Sequence, residues 1–242
     1  MEIKKNAEFD NTVRYHFALV GFVDFKDIIK KFVSSFNYYR FENQGKENSK
    51  EVIYDVADDL LSDAGIVVTK LYNHGRAYLQ VSKISMLSGE LKRPSKTYNL
   101  GQIRREEEPS DYSLQVASAI EGAFTTQFTV DIDAFIKQTS PKIEIDIEAT
   151  KYRIIGGTGY RAYMLLENAT YQDVNSKKKV SRMGVTLLLP SEDKENEFIL
   201  ETIDKKINDI ALYNLSRFEI AKKLLYSTEE LSEEELLEEE ED

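Results

Sequence analysis

Residues 142–150, KIEIDIEAT, constrain the fold of this chain more than any other segment. Ile143, Ile145 and Ile147 alternate strictly with Lys142, Glu144, Asp146 and Glu148, so one face is apolar and the other charged. A period of two belongs to an extended strand, whose successive side chains leave on opposite sides; a helix would spread the isoleucines around its circumference. Such a strand needs partners, and the flanking sequence supplies them. Residues 152–155 and 160–166 surround Gly156-Gly157-Thr158-Gly159 and read as a β-hairpin. A phosphate-cradling loop would instead carry GxxxxGK[ST] ahead of a helix. Residues 181–189 form a further strand, stopped by Pro190, and RYHFALVGF within 13–23 forms another.

Helical periodicity appears between these strands. Asp24 is placed to cap a helix over 25–36, in which Phe25, Ile28, Ile29, Phe32 and Phe36 recur at helical spacing. Residues 110–127 predict a second helix, with Asp111 as cap and Leu114, Val116, Ala117 and Ile120 on its apolar side. Phe198, Ile199, Ile203, Ile207 and Ile210 mark a third, and Ser216 begins a fourth. Residues 43–50 and 88–96 are polar or contain Gly and Pro, and read as loops. Helices at the ends with roughly seven or eight antiparallel strands between them define an α+β chain.

Composition fits one core-forming domain over 1–226, with 41% hydrophobic residues. Cysteine is absent, which excludes disulfides and thiol chemistry. Only His16 and His74 could offer imidazole ligands, too few for an ordinary zinc site. No apolar run approaches the roughly 18–20 residues that span a bilayer. MEIKKNAEFD lacks a signal-peptide core. The expectation is a cytoplasmic protein with no membrane partner. Of the net charge of −11, ten negative charges lie in 229–242 with no basic residue among them, leaving −1 for the rest. Residues 227–242 thus form an acidic tail whose like charges favour disorder.

Residues 54–83, YDVADDLLSDAGIVVTKLYNHGRAYLQVSK, follow a distinctive order. A Tyr-Asp opening leads to a short turn-helix over 58–64, then a Gly65-Ile66 step into a strand. A His74-Gly75 turn follows, and a second strand ends in Lys83. This order resembles the CYTH, or triphosphate tunnel, family, where "YYDTxDxxLxxxGIxLRxR…G…LTxK" crosses an antiparallel barrel. Ser216-Arg217-Phe218 is similar to that family's closing S-K-[YF] segment. The resemblance implies an antiparallel β-barrel or strongly curved sheet with flanking helices. It also implies triphosphates, polyphosphate or RNA 5′ ends bound inside, with Mg²⁺ or Mn²⁺ held by carboxylates. Three stretches depart from the pattern. Thr69 and Leu71 replace Arg-x-Arg, Arg14-Tyr15-His16-Phe17-Ala18 stands at E-x-E-x-K, and Met183-Gly184-Val185-Thr186-Leu187 stands at a late E-x-E-x-E.

Candidate phosphate- or RNA-binding residues follow from the resemblance and from the basic clusters. Lys83 stands at the tunnel lysine, and Arg104 and Arg105 open a segment similar to an R-x-E-x-E strand; a solvated turn before Pro109 is the competing interpretation. Lys151, Arg153 and Arg161 flank the hairpin turn, and Arg182 follows the cluster Lys177-Lys178-Lys179. Glu106, Glu108, Glu144, Asp146 and Glu148 are candidate ligands for Mg²⁺ or Mn²⁺ if the protein is an enzyme. Successive carboxylates on residues 144–148 are about 7 Å apart on one face. Periodicity alone does not say whether that face is inside. Tyr72, Tyr78, Tyr98, Tyr152, Tyr160, Tyr163 and Tyr171 are interleaved with basic residues and could stack bases.

Together these features point to a polyanion-binding protein. Its ligand would be RNA, a nucleoside triphosphate or an RNA 5′ end, and metal-dependent hydrolysis would be lost with the acidic motifs. Two alternatives remain: a metal-dependent triphosphatase built on the relocated carboxylates, and a non-catalytic interaction scaffold whose acidic tail meets a basic protein partner.

Overall fold

A computed structural model describes residues 12–20, 23–56, 61, 64–84, 94–123, 138–157, 159–190, 193–212 and 215–226. The expected turn-helix over 58–64 and loop over 88–96 fall mostly outside these residues, and the acidic tail wholly. β1 (Thr12–Leu19) leads to α1 (Phe25–Ser35), then β2 (Tyr39–Asp55), β3 (Ile66–Asn73), β4 (Arg76–Ile84) and β5 (Pro94–Ile103). A 3-10 turn (Pro109–Tyr112) and α2 (Ser113–Ala123) precede β6 (Ser140–Gly156), β7 (Arg161–Asp173) and β8 (Lys179–Pro190). α3 (Glu195–Lys206), β9 (Ile210–Leu212) and α4 (Arg217–Tyr226) complete the described chain. Asp24 caps α1 by accepting the Asp27 N–H at 2.9 Å. Ser216 and Glu219 form a reciprocal capping box on α4, with bonds of 3.1 and 3.3 Å. No described helix is long and apolar enough to cross a membrane.

The strands form one nine-stranded antiparallel sheet in the order β5-β4-β3-β2-β6-β7-β8-β1-β9. It does not close among the described residues, so of the two expected forms the strongly curved sheet is the one observed. A side-chain contact measures the curvature. β1 and β2 are four positions apart, about 19 Å in a flat sheet, yet Arg14 on β1 donates to Glu51 on β2 at 3.0 Å. The sheet must curl for those two side chains to meet, and their face is the concave one.

Three apolar clusters hold this shape. On the convex side α1 and α3 cover β6–β9 through Phe32, Ile28, Ile199 and Ile203, packed on Phe17, Met164 and Leu187. Also on the convex side, α2 covers β2–β5 through Val116 and Ile120. Leu114, expected on that apolar side, is instead exposed. On the concave side α4 lays Ile220, Ala221, Leu224 and Leu225 against Ile143, Ile145, Ile147 and Tyr171. The alternation of residues 142–148 is thereby resolved: the isoleucines face inward under α4, each burial stabilising by about 1.5–3 kcal/mol.

The expected loop over 43–50 is strand. β2 runs unbroken for 17 residues and absorbs one extra residue as a bulge between Asn43 and Gly45. Gly45 takes a φ of +93°, which glycine tolerates without a Cβ clash, and its N–H bonds to Asn43 Oδ1 at 2.7 Å. The stretch reads as a loop because its side chains are largely exposed, not because pairing stops.

Candidate functional site

The register sorts the candidate residues by face. Reading across the concave side, one row holds Arg14, Leu188, Tyr163, Arg153 and Glu42, and the next holds His16, Thr186, Leu165 and Lys151. Deeper rows add Glu167 with Glu47, and Arg182 with Ser49 and Asn73. Arg161 lies at the rim, opposite Ile155. So Lys151, Arg153, Arg161 and Arg182, all singled out from sequence, share the concave side.

The other candidates lie elsewhere. Glu144, Asp146 and Glu148 are on the convex face, opposite the inward isoleucines; Glu144 pairs with Lys50 at 2.7 Å, and the other two are exposed. Lys83 pairs in register with Ile66 and shares its convex face. Arg104, Arg105 and Glu106 belong to an exposed turn after β5, not to a strand. That turn is held by Lys70, fully buried, which donates to the carbonyls of Arg105 (2.9 Å) and Glu107 (2.5 Å) and to Glu108 Oε1 (3.2 Å). Glu108 also accepts from Tyr54. Of the tyrosines, Tyr78, Tyr160 and Tyr171 are buried and Tyr72 and Tyr152 are convex, so Tyr163 is the described one left at the concave mouth.

The centre of the concave face is an ion-pair network whose members are not among the candidates drawn from the sequence. Arg217, at the first turn of α4, donates through Nη2 to both oxygens of Glu167, each at 2.9 Å. Its Nε lies 3.8 Å from Glu51 Oε1, the same oxygen that Arg14 contacts at 3.0 Å. Thr186 donates its hydroxyl to Glu167 Oε1 at 2.8 Å and lies 2.8 Å from His16 Nδ1. Because Thr186 has given its one proton to Glu167, the hydrogen of the second contact sits on His16 Nδ1. Burial, then Arg217 and Arg14, hold the His16 pKa well below the usual imidazole value, so the ring is neutral. For Arg217 burial opposes the charge, but Glu167 and Glu51 outweigh it and keep the guanidinium protonated.

Nearer the mouth the pairs are looser. Lys151 sits 3.7 Å from Glu47 and lies over the Tyr163 ring at 4.4 Å from its centroid. Arg153 sits 3.8 Å from Glu42, and its buried Nε has no hydrogen-bond partner. Arg217 Nε and Nη1 and Asn73 Oδ1 are likewise buried without hydrogen-bond partners, and both residues, with Lys151, line a cavity of about 30 Å³. A larger depression of about 710 Å³ opens on the convex side beside Lys50, Tyr54, Tyr72 and Arg105. There Lys50 pairs with Glu144, and Arg105 lies over Tyr72 at 5.8 Å. Among the described residues, the buried side-chain donors without a hydrogen-bond partner, on Arg153 and Arg217, are on the concave face.

Two signals in the sequence could have exposed this network. Arg14 and His16 are two residues apart on a strand and must share a face. Arg217 occupies the lysine position of the S-K-[YF]-like segment.

The curved antiparallel sheet with its helices is a fold of the CYTH, or triphosphate tunnel, type. No family model and no curated protein matches the chain in sequence. Among solved structures it is similar to a putative adenylyl cyclase from Hippeastrum, described as having a dominant triphosphatase activity. Identity is 9%, with 88% of this chain and 95% of that one covered and a TM-score of 0.55. A protein from Pyrococcus horikoshii aligns at 12% identity over 88% of this chain and 99% of that one, with a TM-score of 0.49. A putative adenylate cyclase from Bacillus halodurans aligns at 9% identity over 81% and 89%, with a TM-score of 0.44.

Proposed function

We propose that the protein binds a phosphate-rich ligand, RNA with a phosphorylated 5′ end or a nucleoside triphosphate, at the mouth of the concave face, and does so without metal-dependent hydrolysis. The observation that carries this is the gradation of ion pairing on that face. Deep in the face Arg217 and Arg14 each hold an acid oxygen at 2.9–3.0 Å, with Arg217 Nε a further 3.8 Å from Glu51, whereas Lys151 and Arg153 at the mouth come only to 3.7 and 3.8 Å of Glu47 and Glu42, and Glu42 is already held by Arg40 at 2.8 Å. Loosely held cations exchange a distant carboxylate for a phosphate oxygen at small cost, and charge-assisted bonds to phosphate are strong. Arg161 extends the cationic rim. The deep carboxylates are already neutralised by arginine, which favours holding a ligand over activating a metal-bound water. The likeness in fold to the Hippeastrum protein supports the ligand class, and such ligands accord with an intracellular setting.

The test compares short single-stranded RNA bearing a 5′-triphosphate with the 5′-hydroxyl form, with and without Mn²⁺, following released phosphate in the same samples. Expected are tighter binding of the triphosphate form, no phosphate release, and affinity that falls with salt. Lys151→Glu and Arg153→Glu should weaken binding and flatten the salt slope by about one each, while Lys83→Glu, on the convex face, leaves both unchanged. Metal-dependent phosphate release would mean a triphosphatase. Binding of neither RNA would leave an interaction scaffold.

A further inference from the structure

Glu51 and Glu167, 7% and 5% exposed, converge from β2 and β7 on one buried guanidinium. A divalent ion held by concave carboxylates, which a triphosphate-tunnel fold implies, does not fit this donor set, because the place between the two acids is already taken by a cation. Among the described residues no group of three His, Asp or Glu side chains converges, so the two acids are the carboxylates a metal would have here. We propose that Arg217 is the resident cation of this face, standing where a divalent metal would stand, so that the protein grips its ligand independently of metal. The proposal rests on the concave face being the working face.

Three features make the guanidinium a fixture. First, charge: Arg217 and Arg14 together balance Glu51 and Glu167, and a dication added here would meet two guanidinium groups. Second, attachment: Arg217 is the first residue of α4, and Ile220, Ala221 and Leu224 of that helix are buried against the sheet. Unlike a bound ion, the cation leaves only if the helix leaves. Third, unused capacity: Nη2 serves Glu167, while Nε and Nη1 have no hydrogen-bond partner. The adjoining cavity of about 30 Å³ has the volume of about one water. It has room for a single ligand oxygen, which these buried N–H groups would meet on a shift of the guanidinium toward the cavity. A whole triphosphate does not fit there, so the remaining phosphates stay at the mouth with Lys151.

The test is Mn²⁺ titration of the full chain without RNA, following the free-ion paramagnetic resonance signal, in wild type, Glu51→Gln and Arg217→Met. The acidic tail is common to all three, so weak binding by it cancels. Wild type and Glu51→Gln should give the same isotherm, while Arg217→Met should take up one further Mn²⁺ equivalent. A Mn²⁺ equivalent in wild type that vanishes in Glu51→Gln overturns the proposal, as does a folded Arg217→Met variant that takes up none. If Arg217→Met does not fold, the comparison of wild type with Glu51→Gln decides alone. Failure of RNA binding would refute the proposed function without altering these isotherms.

Discussion

Glu167→Ala tests the network at its tightest point. The substitution removes both 2.9 Å contacts to Arg217 and the acceptor of Thr186, leaving the guanidinium with Glu51 at 3.8 Å as its nearest counter-charge. Arg217 is 7% exposed and tied to a buried helix, so it cannot turn to water without lifting α4. Removing one partner of a buried ion pair costs about 3–5 kcal/mol, roughly 6–20 °C in melting temperature for a chain of this size. Thermal and urea denaturation followed by circular dichroism would measure it, since the chain has no tryptophan. The double variant Glu167→Leu with Arg217→Met removes both charges and should recover most of the loss, because an apolar pair of similar volume is close to neutral in energy. A loss below about 1 kcal/mol for Glu167→Ala, in the range of an exposed pair, would refute the claim that this pair is buried and holds the helix.

Further outcomes follow from particular groups. His16 is held neutral by burial and by Arg217 and Arg14, so its folded pKa lies below its unfolded value of about 6.5. Stability should be full above that value and fall as the pH drops below it, where only the unfolded chain takes up the proton. His16→Gln should flatten urea-derived stability between pH 5 and 7. Lys70→Met leaves two turn carbonyls and Glu108 without their buried donor. It should cost about 1–3 kcal/mol, with hydrogen exchange accelerating around residues 104–108. Deletion of residues 227–242 should raise affinity for RNA at low salt, since ten acidic charges are removed from the chain and α4, which precedes them in sequence, ends where Lys178 donates to the Leu225 carbonyl at 2.6 Å. Unchanged affinity in the truncated chain would separate the tail from ligand binding.

Local pattern was legible wherever one face of an element is buried. The alternation of residues 142–148, the Asp24 cap and the hairpin at Gly156–Gly159 each rest on interactions within a few residues, and each appears as expected. The bulged middle of β2 was not legible, because an exposed strand and a loop share a polar composition; only pairing with β6 distinguishes them. That Lys151 and Arg153 share a face was legible, since they lie two apart on one strand. The carboxylates of that strand were placed by the same alternation on a definite face, but which face is concave depends on α4, far along the chain.

The network itself lies beyond any local reading. Arg14, Glu51, Glu167 and Arg217 come from four separate elements, and they meet only because the sheet curls far enough to bring β1 across to β2. Elements with one buried face, the Asp24 cap and the two-sided character of residues 142–148 follow from the chain's local pattern, since these depend on short-range sterics and hydrophobic period. Tertiary structure alone decided which charges neutralise one another, because Coulomb energy in a buried site depends on distances set by curvature and by a helix docked from the far end of the chain.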